Sequence, residues 1–166
     1  PWYCGTGSSN SNITIDYWDR NYVSGGLIKS TSAEDVTLSN NTVTVKDGAR
    51  VNGIYGATIA CTVPGIVTMT GNKVVVEGGS SDSVRGAHIN SNVFNILQNT
   101  VIMTDNHVVI TGGDLAGYEH SSIAGASGMT DAQSDTPSMV TGNSLTINDG
   151  TFGRKSKFYG AWLTNS

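Results

Sequence analysis

Five segments of this chain follow one pattern, an Asn succeeded by a short run in which apolar residues recur at every second position. The segments begin at Asn12, Asn41, Asn72, Asn106 and Asn143. Subtracting each position from the next gives steps of 29, 31, 34 and 37 residues. A period of about 30 residues indicates one supersecondary unit stacked on copies of itself, so the chain is restricted to a repeat architecture.

Each repeat holds three apolar pieces. The first follows the Asn and alternates apolar with polar residues, as in 43–45 (Val-Thr-Val), which is typical of a strand with one buried face. The second contains Gly, as in 54–59 (Ile-Tyr-Gly-Ala-Thr-Ile), and predicts a close approach by a neighbouring coil. The third precedes the next Asn, as in 67–70 (Val-Thr-Met-Thr). Three short strands per repeat, without helical periodicity, predict an all-β parallel solenoid of about five coils.

The repeated Asn residues occupy one position of the repeat, where a turn enters the first strand. Stacked coils would bring their side-chain amides into register and allow hydrogen bonds from coil to coil. We therefore predict a structural Asn ladder consisting of Asn12, Asn41, Asn72, Asn106 and Asn143. The alternative is that no ladder forms and that each of the five Asn side chains bonds only to its own backbone within a turn.

Composition supports one solenoid domain and narrows its partners. Only 13% of the 166 residues are charged and the formal net charge is −4. This balance excludes a helical bundle, and the scattered Lys and Arg exclude electrostatic binding of nucleic acid. We predict that residues 11–166 form the solenoid and that residues 1–22 form a lead-in segment.

Aromatic residues crowd the lead-in segment. They are Trp2, Tyr3, Tyr17, Trp18 and Tyr22. Bulky side chains there are expected to cap an open end of the solenoid, where core and unpaired strand edges would otherwise be exposed. A sugar-stacking or partner-binding patch is the alternative interpretation.

One repeat position is a candidate surface column. It holds Tyr55 and Tyr159, and in the other coils Ser24, Arg85 and Ala124. If this column points outward, its Tyr residues are candidates for contact with a partner, together with Trp162 on the last coil and Tyr118 in an insert. The inserts at 90–99, 112–122 and 126–137 are further candidates, because loops on a rigid scaffold commonly carry binding.

The chain contains two cysteines, Cys4 and Cys61. An even number of cysteines in a Ser-, Thr- and Asn-rich chain favours a disulfide formed in an oxidising compartment. Two buried free thiols are the alternative. No Cys-x-x-Cys spacing is present, so no metal site is predicted.

The chain resembles the passenger regions of Gram-negative autotransporters and related large secreted adhesins. The similarity lies in 71–79 (Gly-Asn-Lys-Val-Val-Val-Glu-Gly-Gly), 142–150 (Gly-Asn-Ser-Leu-Thr-Ile-Asn-Asp-Gly), 54–57 (Ile-Tyr-Gly-Ala) and 158–161 (Phe-Tyr-Gly-Ala). The resemblance implies a right-handed parallel β-helix and a surface-exposed or secreted bacterial adhesin or stalk, exported across the outer membrane. It implies partners such as host-cell or bacterial surface glycans and proteins, or copies of itself. Membrane attachment would require a downstream anchor absent from this sequence, and the two cysteines depart from the family pattern.

Catalysis is not expected, although parallel β-helices include polysaccharide-active enzymes. The sequence contains no Asp-Asp pair and no Gly-His-Gly segment, and its acidic residues lie in turns and inserts rather than along one sheet. No catalytic residue, cofactor or metal ligand is therefore predicted. The chain starts without Met and stops within a repeat, so we expect a piece of a longer protein, or alternatively a filament subunit that stacks end to end.

Overall fold

The structure is a computed structural model of the chain, and it is entirely β among the residues that it describes. Those residues are 2–6, 9–17, 21–29, 35–61, 63, 65–90, 100–116, 122–130 and 138–165. Every strand is parallel to its equivalent one turn away, so the predicted β-solenoid is confirmed. The arrangement is consistent with the right-handed parallel β-helix that the resemblance implied.

Three sheets run along the solenoid. The first contains the strands that follow the repeated Asn: β2 (Asn12–Ile15), β5 (Thr42–Val45), β8 (Lys73–Val76), β11 (His107–Leu115) and β14 (Ser144–Phe152). The second contains β1 (Trp2–Thr6), β3 (Tyr22–Ile28), β6 (Arg50–Ile59), β9 (Ser80–Ile89), β12 (Ser122–Thr130) and β15 (Lys157–Asn165). The third contains β4 (Val36–Ser39), β7 (Val67–Thr70), β10 (Val101–Thr104) and β13 (Met139–Thr141). The first and second sheets join where Asp114 of β11 pairs with Ser80 of β9.

The described strands complete four turns rather than the predicted five or so. The complete turns are β3–β4–β5, β6–β7–β8, β9–β10–β11 and β12–β13–β14. Strands β1 and β2 lie before them and β15 after them. The difference arises because the last sequence repeat, which begins at Asn143, contains β14 and β15 but no third-sheet strand among the described residues.

Alternation along the strands fills the interior with two aliphatic clusters. One lies between the first and second sheets and includes Val43, Val74 and Val108, all without solvent exposure. The other lies between the second and third sheets and includes Leu38, Met69 and Met103, also unexposed. Each fully buried side chain of this size stabilises the fold by about 1.5–3 kcal/mol. Hydrophobic burial therefore recurs at the same strand positions in successive turns until the last one, where Ile147 is 40% exposed.

The predicted Asn ladder is formed by four of its five members. The side-chain amide of Asn41 donates to Oδ1 of Asn72 (2.8 Å), that of Asn72 to Asn106 (2.9 Å) and that of Asn106 to Asn143 (2.8 Å). The backbone N–H of each donor residue also bonds to the same oxygen, at 3.0–3.2 Å. The first three residues are completely buried, so the amides satisfy one another where water cannot.

The fifth predicted member, Asn12, does not belong to the ladder. Asn12 pairs with Thr42 and is exposed, whereas Ser11 lies at the ladder position. The hydroxyl of Ser11 donates to Oδ1 of Asn41 (2.8 Å), as does its backbone N–H (3.1 Å). The prediction was one residue out of register because the apolar run of the first repeat directly follows Asn12, whereas later repeats place a polar residue between.

A left-handed backbone conformation precedes every ladder position. The residues concerned are Asn10 (φ 68°), Asn40 (φ 55°), Gly71 (φ 64°), Asp105 (φ 55°) and Gly142 (φ 67°). Gly, Asn and Asp are the residue types that tolerate this conformation best. This column of corner residues aims the following side chain into the solenoid, and it explains why ladder residues are preceded by Asn, Asp or Gly.

The Gly residues of the second sheet face the ladder at close range. A methyl group at Gly25 would lie 2.5 Å from the carbonyl oxygen of Gly56 and 2.9 Å from Cβ of Asn41. The carbonyl oxygen of the following turn likewise blocks a methyl group at Gly56, Gly86 and Gly125. The close approach predicted from the sequence is therefore present, and it involves both the next turn and the Asn side chain.

Cys61 is a free thiol and is only 8% exposed, so the predicted disulfide with Cys4 is not formed in this structure. Strand pairing explains why. Cys4 aligns with Ser24, and Ser24 aligns with Tyr55, six positions before Cys61. A disulfide requires Cα atoms within about 7 Å, whereas the strand from Tyr55 to Ile59 alone spans about 13 Å and Cys61 lies two residues beyond it.

Candidate functional site: the outer side of the second sheet

The second sheet carries an unusual set of side chains on the side that faces away from both clusters. We call this set the outer strip; it consists of Tyr22, Ser24, Tyr55, Thr58, Ser83, Arg85, His88, Ser122, Ala124, Ser127, Tyr159 and Trp162. The position predicted as a surface column is part of it, since Ser24, Tyr55, Arg85, Ala124 and Tyr159 align from strand to strand. The outer strip thus combines rings, hydroxyls and one guanidinium along successive turns.

Tyr55 lies in this column but is not the exposed contact that the sequence predicted. It is only 5% exposed, because groups on both adjacent strands cover its ring. His88 stacks on it at 5.0 Å between ring centroids, Tyr22 stacks at 6.4 Å, and the Arg85 guanidinium lies 5.9 Å from the ring centre. Burial raises the pKa of the Tyr55 hydroxyl, while the Arg85 charge and a hydrogen bond with Ser83 oppose that rise.

Arg85 and His88 form the centre of the outer strip. Nη1 of Arg85 lies 2.9 Å from each ring nitrogen of His88, and Nδ1 of His88 lies 3.2 Å from Oγ of Ser127. Burial, and then the Arg85 charge, lower the pKa of His88 to about 3, against a smaller opposing effect of its hydrogen bond to Ser127. His88 is therefore neutral at physiological pH and accepts a hydrogen bond from the guanidinium.

Two polar atoms of the outer strip are buried without a hydrogen-bond partner. They are Nε of Arg85 and Oγ of Ser122. Ser122 aligns with Ser83, two positions before Arg85, so Arg85 and Ser122 are diagonal neighbours on adjacent strands. Such diagonal positions are about 7–8 Å apart, within reach of an Arg side chain. Burial also lowers the pKa of Arg85, which no carboxylate contacts among the described residues.

The last turn ends the outer strip with exposed aromatic surface. Tyr159 and Trp162 stack with ring centroids 5.4 Å apart and an interplanar angle of 23°, and Trp162 is 40% exposed. These two predicted contact residues are thus neighbours, whereas Tyr118 falls outside the described residues. Tyr17 and Tyr22 of the lead-in segment are also exposed, at 60% and 41%, and Trp18 is outside the described residues.

The remaining predicted features are distributed away from the outer strip. Of the proposed binding inserts, residues 112–115 belong to β11 and residues 122 and 126–130 to β12, while 91–99, 117–121 and 131–137 lie outside the described residues. Within the described ranges no group of three or more His, Cys, Asp or Glu could hold a metal ion. Sequence reasoning identified the Tyr55 column but not its Arg85–His88 centre.

Comparison with known proteins identifies no relative: no family model, no curated protein and no solved structure matches this chain. In the part of the chain that the structure describes, no helix has the length and apolar character needed to cross a membrane. The fold therefore defines the class of protein, a parallel β-solenoid.

Proposed function

We propose that this chain is a non-catalytic segment of an extracellular bacterial adhesin or stalk, displayed on the cell surface. The observation that supports it most is the ladder of Asn41, Asn72, Asn106 and Asn143, which ties successive turns together through buried amides. A stack tied in this way is a stiff rod, and such a rod can hold side chains at a distance from a surface.

The contact surface in this proposal is the end of the outer strip, where the exposed Trp162 stacks on the half-buried Tyr159. Stacked aromatic side chains present a flat apolar face with polar edges, which suits the C–H face of a sugar ring. Glycans or glycosylated proteins of host or bacterial cells are accordingly the proposed partners.

Binding of the purified chain to a glycan array and to whole cells tests this function. We expect saturable binding that Trp162→Ala weakens at least tenfold, because the stacked pair is broken. Tyr17→Ala is the matched control, since Tyr17 is an exposed aromatic residue outside the outer strip. Absence of binding to every glycan and cell type, or equal losses in both variants, contradicts the proposal.

A filament built by end-to-end stacking is a second candidate, supported by the last turn. Ile147 and Phe158 are 40% and 44% exposed, although the aligned residues one turn earlier, Ile110 and Ile123, have no exposure. Another turn placed on this end, from the same polypeptide or from a second copy, would cover them. Electron microscopy should then show rods longer than one chain, which Ile147→Asp shortens; uniform single-chain rods would exclude the filament.

A further inference from the structure

The outer strip has a positive charge in an acidic chain. The residues of the outer strip belong to three aligned columns, which run from Tyr22 to Lys157, from Ser24 to Tyr159 and from Leu27 to Trp162. They contain two cations, Arg85 and Lys157, and no Asp or Glu, whereas the whole chain has a net charge of −4. The nearest acidic residue along β9, Asp82, has Arg50 rather than Arg85 as its electrostatic partner.

The donors of Arg85 are only partly used. A guanidinium has five N–H donors. Nη1 is directed at His88, and Nε has no partner although it is buried. The Oγ atom of Ser122, on the adjacent strand, is buried without a partner as well. Each such unpaired buried group costs about 1–3 kcal/mol, and the two residues occupy diagonal positions on adjacent strands.

We propose that Arg85, assisted by Ser122, binds the carboxylate or sulfate group of an acidic saccharide; this deepens the proposed glycan contact and rests on it. The planar guanidinium matches a two-oxygen anion, and the pairing is stronger than one between neutral groups. Neutral His88 accepts from Nη1 and so fixes the guanidinium without bringing a second cation.

The rings of the last turn explain why the anion belongs to a saccharide. Tyr159 lies two strands along the same column from Arg85, and Ala124 lies between them. Two strand spacings amount to about 10 Å. A short oligosaccharide can therefore place one sugar ring on the Tyr159–Trp162 pair while a neighbouring unit brings its acidic group to Arg85.

Side-chain NMR of the intact chain tests this subsite directly. The Arg Nε–H resonances are followed during titration with glucuronate, with N-acetylglucosamine 6-sulfate and with glucose. We expect saturable shifts of the Arg85 signal with one or both acidic sugars and none with glucose, and the two acidic probes show which anion is preferred. Backbone amides of Ser122 and Ser127 report binding in Arg85→Gln, which should weaken it at least tenfold, whereas Arg50→Gln should not.

Three results would overturn the proposal: equal shifts with glucose, no shifts with any probe, or unchanged affinity in Arg85→Gln. Each would mean that the unpaired donors of Arg85 and Ser122 bind water rather than an anion. Arg85→Lys, which keeps the charge but not the planar donor pair, should retain the fold and bind less tightly. If neutral glycans bind through Trp162 while the Arg85 resonance does not shift with any probe, the proposed adhesin function is supported and the proposed anion subsite is wrong. If glucuronate shifts Arg85 but no glycan or cell is retained, the subsite stands and the adhesin function fails.

Discussion

Replacing Asn72 by Ala should strongly destabilise the central turns of the solenoid. Its side chain accepts from the backbone and side-chain nitrogens of Asn41 (3.2 and 2.8 Å) and donates to the carbonyl of Leu38 (3.0 Å) and to Asn106 (2.9 Å). Four hydrogen bonds at about 1 kcal/mol each give a loss of about 4 kcal/mol. The loss is larger if the orphaned buried groups find no water. The total free energy of unfolding of a domain of this size is about 5–15 kcal/mol.

Urea unfolding followed by far-UV circular dichroism measures this loss, and hydrogen exchange at the backbone amides of Lys73 and His107 locates it. The matched control is Asn12→Ala, because Asn12 has the same chemistry but is exposed and outside the ladder. We expect Asn12→Ala to change the free energy of unfolding by less than about 0.5 kcal/mol. A cost below about 1 kcal/mol for Asn72→Ala, or similar costs at both positions, would refute the role of the buried ladder.

Three further changes test the core, the outer strip and the thiol. Gly56→Ala should lower the free energy of unfolding by about 3 kcal/mol or more, because the added methyl group clashes with the next turn. Gly160→Ala should lower it by less than about 1 kcal/mol, because the nearest neighbour of that methyl group is 3.3 Å away. Equal losses would argue against close stacking of the turns. Because His88 stays neutral down to a pKa of about 3 while the unfolded chain takes up its proton near pH 6.5, stability should fall as the pH drops between these values. The free energy of unfolding should fall by about 3 kcal/mol by pH 4. Urea titrations of the original chain and of His88→Gln at each pH test this, because the variant should not show the fall. If the free energies of unfolding of the two proteins change with pH in parallel, the prediction is wrong. Burial raises the pKa of the Cys61 thiol, so iodoacetamide should modify Cys61 only after the chain unfolds. Mass spectrometry of the unfolded chain without reductant measures this modification. If Cys61 formed a disulfide, it would stay unmodified even then.

The sequence alone was sufficient for the architecture because the period and the strand alternation are local signals. The register of the first turn was not visible, since Asn10 and Asn12 flank Ser11 and both resemble ladder residues. The left-handed corner gives the missing signal: Ser11 follows Asn10 as Asn41 follows Asn40. Aligning the residues that tolerate positive φ, rather than the Asn residues, would have placed Ser11 correctly.

The outer strip could be located from the sequence but not described. The sequence aligned Tyr55 with Tyr159 in one column but left open whether that column points outward, and it did not show what lies beside Tyr55 on the next turn. Arg85 and His88 are 30 and 33 positions further on, and only the pairing of β6 with β9 brings them onto the Tyr55 ring. The burial of Tyr55 and the neutral state of His88 are therefore products of contacts between turns.

Hydrogen bonding between neighbouring turns also determines how the molecule would carry mechanical load. Among the described strands, each turn is hydrogen-bonded to the turns directly before and after it, so tension along the axis passes through the turns in series. A pull at one end would peel off the outermost turn first, and each released turn of about 30 residues would add about 100 Å of slack chain. A solenoid loaded in this way would lengthen in steps under a pulling force, and the turns below the released one would stay folded.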